Sequence, residues 1–250
     1  MKKLLALLIL LSSFALAQTV TGNATLAVTS DPIDTTGASL IVVTCANYGS
    51  MPSGVMSNPY LGTPTPLPGY GDVPSNAGYL RQFYFVAPNP STSQRFTCQI
   101  SAGGTGYVTI AVSVITGTST AADVLDGTSG SLTGQPGVIT PTANGDVCIA
   151  SYGSGNGEGI PADPNDDFSI DSGFTMDGTN SNGIKQDIGQ AYIVQGNAAP
   201  LDPQWTSPDY PAQVTVMSCY KNANPPANSG GSGGGSTVST PSYVPMSFIL

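Results

Sequence analysis

The sequence predicts an all-β fold: an antiparallel β-sandwich, jelly-roll-like, in one domain with a flexible C-terminal tail. Three observations predict it. Apolar residues recur at the two-residue period of half-buried strands, or in short continuous runs, between clusters of Gly, Pro, Asn and Asp. Gly and Pro are abundant, at 31 and 21 of 250 residues, and runs of strong helix formers are scarce, so long helices are excluded. About nine strand-like segments follow one another through turn-rich loops, the pattern of stacked antiparallel sheets.

Residues 1–17 read as a cleaved signal peptide. Lys2 and Lys3 supply the positive start, Leu4 to Leu11 the apolar stretch, and Ala15-Leu16-Ala17 the small-residue cleavage site before Gln18. The apolar run is short for a membrane span, which needs about 20 residues. Export to an extracellular or cell-surface location follows, with no membrane span after cleavage. Without the leader the basic residues are Arg81, Arg95, Lys185 and Lys221 against fifteen acidic ones, a net charge of −11. Such a surface repels phosphate backbones and anionic lipid, which excludes nucleic acid as a partner.

The strands are expected, in order, at 19–28, 39–46, 79–86, 95–101, 106–116, 146–152, 172–176, 188–195 and 212–220. The run SLIVVTCA at 39–46 is apolar almost throughout, as a strand buried on both faces is. At 106–116 the alternation is clearest: Val108, Ile110, Val112 and Val114 share one face, Thr109, Ala111 and Ser113 the other. A short helical turn is expected only at 119–125. Two long loops remain, 47–78 and 153–167, and loops of this length are usually functional or mobile. The runs CANYGS at 45–50 and CIASYGS at 148–154 are read as shared strand-exit chemistry, not as a duplication. The β-sandwich domain occupies 18–221. A Pro- then Gly/Ser-rich linker follows at 222–237, and an apolar segment at 238–250.

Cys45, Cys98, Cys148 and Cys219 all fall in expected strands, with no C-x-x-C pair among them. That spacing argues against a zinc or thioredoxin-like site and for two structural disulfides, in any of three pairings. Histidine is absent from the chain, so Ser-His-Asp and Cys-His catalysis are excluded. Ser218-Cys-Tyr-Lys221 matches S-x-x-K in letters, yet residues three apart in a strand face opposite ways. The carboxylates Glu158, Asp163, Asp166, Asp167 and Asp171 read as a solvated acidic loop before a glycosidase pair. No enzyme is predicted and no cofactor is required. The D-x-N-x-D pattern of Asp163, Asn165 and Asp167, with Asp171 beyond, is the one candidate cation site, and oxygen ligands on a tight loop suit calcium.

The segments IDTTGASLIVV at 33–43, DSGFT at 171–175 and WTS at 205–207 occur in that order. Together they resemble a group of secreted bacterial and phage β-sandwich proteins of unassigned function, over roughly residues 30–221. The resemblance implies a jelly-roll-like sandwich used as a surface or adhesion-type module, with no catalytic residues to carry over. The cysteines and the Tyr/Pro-rich loop at 47–78 are departures from that group.

Two contact elements are therefore expected. Tyr60, Tyr70 and Trp205 are the candidate ligand-binding aromatics, suited to a neutral glycan if their rings are open, or else to packing. Tyr243, Val244, Met246, Phe248, Ile249 and Leu250 form a tethered apolar segment. It suits strand addition to a protein partner or to another copy of the chain, with Pro245 confining it to an edge.

Overall fold

The structure is a computed structural model that describes residues 27–72, 78–100, 106–155, 168–181, 186–207, 213–225 and 243–244. The leader, residues 19–26 of the first expected strand, Asp163, Asn165, Asp167, most of the linker, and Met246, Phe248, Ile249 and Leu250 lie outside the described residues.

The strands are β1 (Ala27–Thr29), β2 (Leu40–Asn47), β3 (Pro52–Asn58), β4 (Thr65–Asp72), β5 (Gly78–Val86), β6 (Arg95–Ile100), β7 (Val108–Ile115) and β8 (Leu125–Ser131). They continue with β9 (Val147–Gly155), β10 (Ser169–Ile170), β11 (Thr175–Ser181), β12 (Gln186–Val194), β13 (Trp205–Thr206), β14 (Gln213–Tyr220) and β15 (Tyr243–Val244). Every pairing is antiparallel. Two five-stranded sheets, ordered β15-β7-β2-β5-β4 and β11-β12-β9-β14-β8, face each other as the expected sandwich. A three-stranded sheet, β1-β6-β3, covers the outer face of the first, and the pair β10-β13 lies over the outer face of the second.

The pleat of β2 shows why this stacking forms. Ile41, Val43 and Cys45 point outward, into an apolar layer with Phe96 and Cys98 of β6 and Val55 of β3. Leu40 and Val42 point inward, against Val147 and Ile149 of β9 and Tyr220 of β14. All eight residues of β2 are buried, as the continuous apolar run at 39–46 predicts. Beyond the second sheet, Cys148, Ala150 and Tyr152 of β9 pack under Phe168 and Trp205.

The expected long loop at 47–78 is corrected here: it contains β3 and β4. Pro52, Pro66 and Pro68 suggest a loop in sequence, yet both strands are sheet edges, where a missing N–H costs no ladder bond. Val55 and Leu67 are buried and anchor them. Likewise β8 was not expected in LDGTSGS at 125–131. The helical turn expected at 119–125 is a single turn closed by the Val124 N–H donating to the Ala121 carbonyl (3.1 Å), and it leads into β8. The strand expected at 172–176 begins later, at Thr175, because Ser172 and Gly173 adopt positive φ and make a turn.

The chain traverses the same path twice. Reading β2 to β7 against β9 to β14, the order β4-β5-β2-β7 reappears as β11-β12-β9-β14, and the outer pair β3-β6 reappears as β10-β13. The registers coincide as well. Leu40 pairs with Val86 and Ile115, and its counterpart Val147 with Val194 and Tyr220. Thr44 pairs with Gln82, and Ser151 with Gln190. Even the edge irregularity repeats, after Pro66 in β4 and after Met176 in β11. The two halves then exchange a strand each. β8 follows β7 but pairs with β14, and β15 follows β14 but pairs with β7. The sandwich is thus a pseudo-twofold pair of like halves, and the similar runs at 45–50 and 148–154 do not mark it, since these registers match Cys45 with Tyr152 and not with Cys148.

Candidate functional site

The interface between the halves is polar at its centre. Thr44, Ser151, Gln82, Gln190, Ser113 and Ser218 all lie there, fully or almost fully buried. The Gln82 amide donates to Ser151 Oγ (3.1 Å) and its carbonyl accepts from Ser218 Oγ (2.8 Å). Across the pseudo-dyad, the Gln190 amide donates to Ser113 Oγ and its carbonyl accepts from Ser151 Oγ (3.3 Å). Thr44 and Ser151 meet at 3.1 Å between the two central strands. Buried amides and hydroxyls are costly unless paired, so this network tolerates one lateral alignment of the sheets and penalises others. It specifies how the halves dock. Sequence reasoning missed it. The available signal was Gln82-Phe-Tyr-Phe-Val86 against Gln190-Ala-Tyr-Ile-Val194, one motif present twice.

The cysteines form two disulfides, Cys45–Cys98 and Cys148–Cys219, with all four residues fully buried. Cys45–Cys98 ties β2 to β6, joining two layers. Cys148–Cys219 joins directly paired residues of β9 and β14 within one sheet, with 4.0 Å between their Cα atoms. The halves differ here. Tyr152 takes the place of Cys45, and its ring meets Phe168 at 5.0 Å and Trp205 at 5.7 Å, so an aromatic stack replaces the bridge between layers. Persistent disulfides belong to oxidising compartments.

A second polar cluster holds the chain where β8 crosses over. Asp146 is buried, and one of its carboxylate oxygens accepts from the Asn222 N–H (3.0 Å). The other has no donor, and Asp126 lies beside it. Burial first, then the neighbouring Asp126 carboxyl through a hydrogen bond and its charge, outweigh the backbone N–H groups of Asn222 and Ala143 and push the Asp146 carboxyl up to about 6. Burial also acts on Asp126, but the N–H and hydroxyl of Thr142 outweigh it and hold that carboxyl below its ordinary value. Lys221 turns outward to Asp123 at 2.9 Å, which lowers the Asp123 carboxyl. Ser218 is committed to Gln82 and Lys221 to Asp123, so the S-x-x-K letters form no reactive pair.

The sign of the Asp146 effect is fixed. A carboxyl raised from 3.8 to about 6 stabilises the fold below its unfolded value and loses that contribution as pH rises through about 6. Asp146→Asn keeps an acceptor for Asn222 and adds a donor toward Asp126. The variant is expected to melt close to the parent at pH 4. At pH 7.5 it is expected to melt roughly 5 °C higher, the equivalent of about 2 kcal/mol. Equal melting temperatures at pH 7.5 would remove the acid pair from the account.

The expected ligand aromatics separate. Tyr60 is 72 % exposed, just beyond β3. Tyr70 is half-buried on β4, its ring lying over Gly130 of β8, where any Cβ would collide with it. It closes one side of the sandwich. Trp205 is 1 % exposed beneath the outer layer, and Gly189 lets it approach β12. The candidate glycan platform is corrected accordingly: its tryptophan is a packing residue with no face open to a sugar. Asp171, the one described member of the candidate calcium set, is exposed and uses one carboxylate oxygen in local structure. One of its carboxylate oxygens accepts from the Ser172 hydroxyl (2.8 Å) and the Gln204 N–H (2.7 Å). Among the described residues no group of three or more Cys, Asp or Glu is placed to hold a metal ion. Nor is any helix among them long and apolar enough to cross a membrane.

Comparison with protein-family models, with curated proteins and with solved structures found no match to this chain.

Proposed function

We propose that this protein is an exported structural and adhesion-type module of the cell surface or extracellular space, acting by contact instead of by chemistry. The observation that carries the reading is the pair of fully buried disulfides, one between layers and one within a sheet. Bridges of this kind fit a protein that must persist where nothing refolds it. The interior supports the same reading, since its buried polar groups are used to align the sheets. Outward, the exposed large apolar side chains Met56 and Tyr60 sit on and just after the edge strand β3. The leader-like residues 1–17 and the resemblance to secreted β-sandwich proteins point the same way.

The test is expression of the full chain in a bacterial host, followed by fractionation, N-terminal sequencing and gels with and without reductant. The expected outcome is a chain beginning at Gln18, outside the cytoplasm, with no free thiol, and retained on the cell envelope. A protein that keeps its leader and its thiols in the cytoplasm would overturn the reading.

A further inference from the structure

Among the described residues β7 has only the two-residue β15 on its outer side, yet it is buried like a fully flanked strand. Each of its eight residues is buried, whereas the edge strands β1, β3, β4, β8 and β11 all carry exposed or half-exposed residues. On its inner side β7 pairs with β2 along its whole length. On its outer side the described residues provide only Tyr243, opposite Ile115, and Val244, opposite Val114. In the other half, the equivalent strand β14 has its outer edge covered by β8 from Tyr220 to Thr215.

We propose that the outer edge of β7 is a strand-acceptor site, and that its occupant is the segment 243–250 of the same chain, in the register Tyr243 and Val244 begin. Continuing that register sets Met246 opposite Val112, Phe248 opposite Ile110 and Leu250 opposite Val108. Val108, Ile110, Val112 and Val114 are the residues β7 turns into the outer apolar layer. Cross-strand partners share a face, so Val244, Met246, Phe248 and Leu250 extend that layer in a single row. A slip of one residue would place Pro245 and Ser247 there instead, which fixes the register. Neither strand carries a charged side chain. Pro245 is compatible with an outermost strand. The pseudo-dyad supplies the geometry of the return: β8 starts opposite Tyr220 and β15 starts opposite Ile115, the equivalent position. The connection 116–124 suffices for the first crossing, and 221–242 is more than twice as long. A connection of that length lets the segment leave the edge without moving β14, so a peptide of like pattern should displace it. This edge exists whatever compartment the protein occupies, so its loss would leave the extracellular reading standing.

The experiment uses a chain ending at Thr237 and a synthetic peptide of residues 238–250. The truncated chain is expected to bind the peptide at micromolar concentration, and the full chain at least tenfold more weakly because its edge is filled. Absence of binding to the folded truncated chain, or equal binding to both, overturns the proposal. A full chain that is dimeric, and monomeric once truncated, overturns the same-chain assignment and gives the strand to a second copy. If truncation prevents folding, the full chain carrying Phe248→Asp and Leu250→Asp serves instead. The Val108–Val112 amides directed away from β2 should then exchange hydrogen at least tenfold faster than in the parent, with β9 unchanged. Unaltered exchange at β7 overturns the proposal.

Discussion

Replacing Trp205 by alanine is expected to destabilise the protein by about 4 kcal/mol, the middle of the range for a buried aromatic truncated in a core. Trp205 is the largest fully buried side chain, and it stands where the other half of the molecule has a disulfide. Its ring lies 5.7 Å from that of Tyr152 and within 3.5 Å of where a Cβ on Gly189 would sit. No neighbour can collapse into the space it leaves, because β10-β13 spans the site from above and the β9-β12 ladder fixes it from below. The melting temperature should fall by roughly 10 °C, with Trp205→Phe losing about half as much. Trp205 is also the sole tryptophan, so its emission should be blue-shifted and insensitive to iodide in the native protein. A red-shifted, quenchable emission together with an unchanged melt would return this ring to the surface and revive the glycan platform.

The second large effect concerns Cys45 and Cys98. The bridge closes 53 residues of chain, and the entropic model assigns such a loop about 4 kcal/mol. The double variant Cys45→Ala, Cys98→Ala should lose that amount in denaturant titration. Removing Cys148 and Cys219, which close 71 residues, should cost about as much by the same model. The two variants should nevertheless fail differently. Cys45–Cys98 is the covalent link between β2 and the outer sheet β1-β6-β3, so its loss should first accelerate hydrogen exchange in β6 while β9 stays protected. Cys148–Cys219 joins strands already paired along β9 and β14, so its removal should leave local exchange in that ladder slow up to global unfolding. Uniform acceleration in the first variant would mean that the outer sheet is held by packing alone.

The dyad also explains how much of the molecule was legible beforehand. Central strands were readable because each carries its burial in its own residues: β2, β5, β7, β9, β12 and β14 appear as apolar runs or alternations at nearly their true limits. The edge strands β3, β4 and β8 were not, because one side of each faces solvent and tolerates Pro, Gly and Ser, so they look like loop. The candidate site was less legible still. Asp146 and Asp126 are ordinary surface letters in sequence, and only the crossing of β8 brings them side by side. Trp205 reads equally as platform or as packing until the layer above it is known.

From its own letters, then, the chain determined an all-β body, strands with defined inner faces, and cysteines placed for bridging. Those properties depend on which neighbours two residues along share a face, a matter of local geometry. Tertiary structure alone decided which cysteines join, that there are four layers, that the chain repeats one path twice, and that each half receives an edge strand from the other. These depend on complementarity between segments tens of residues apart. Gln82 finds Ser218, and Gln190 finds Ser113, only once two sheets stack, and the free energy that selects that alignment does not exist in either strand by itself.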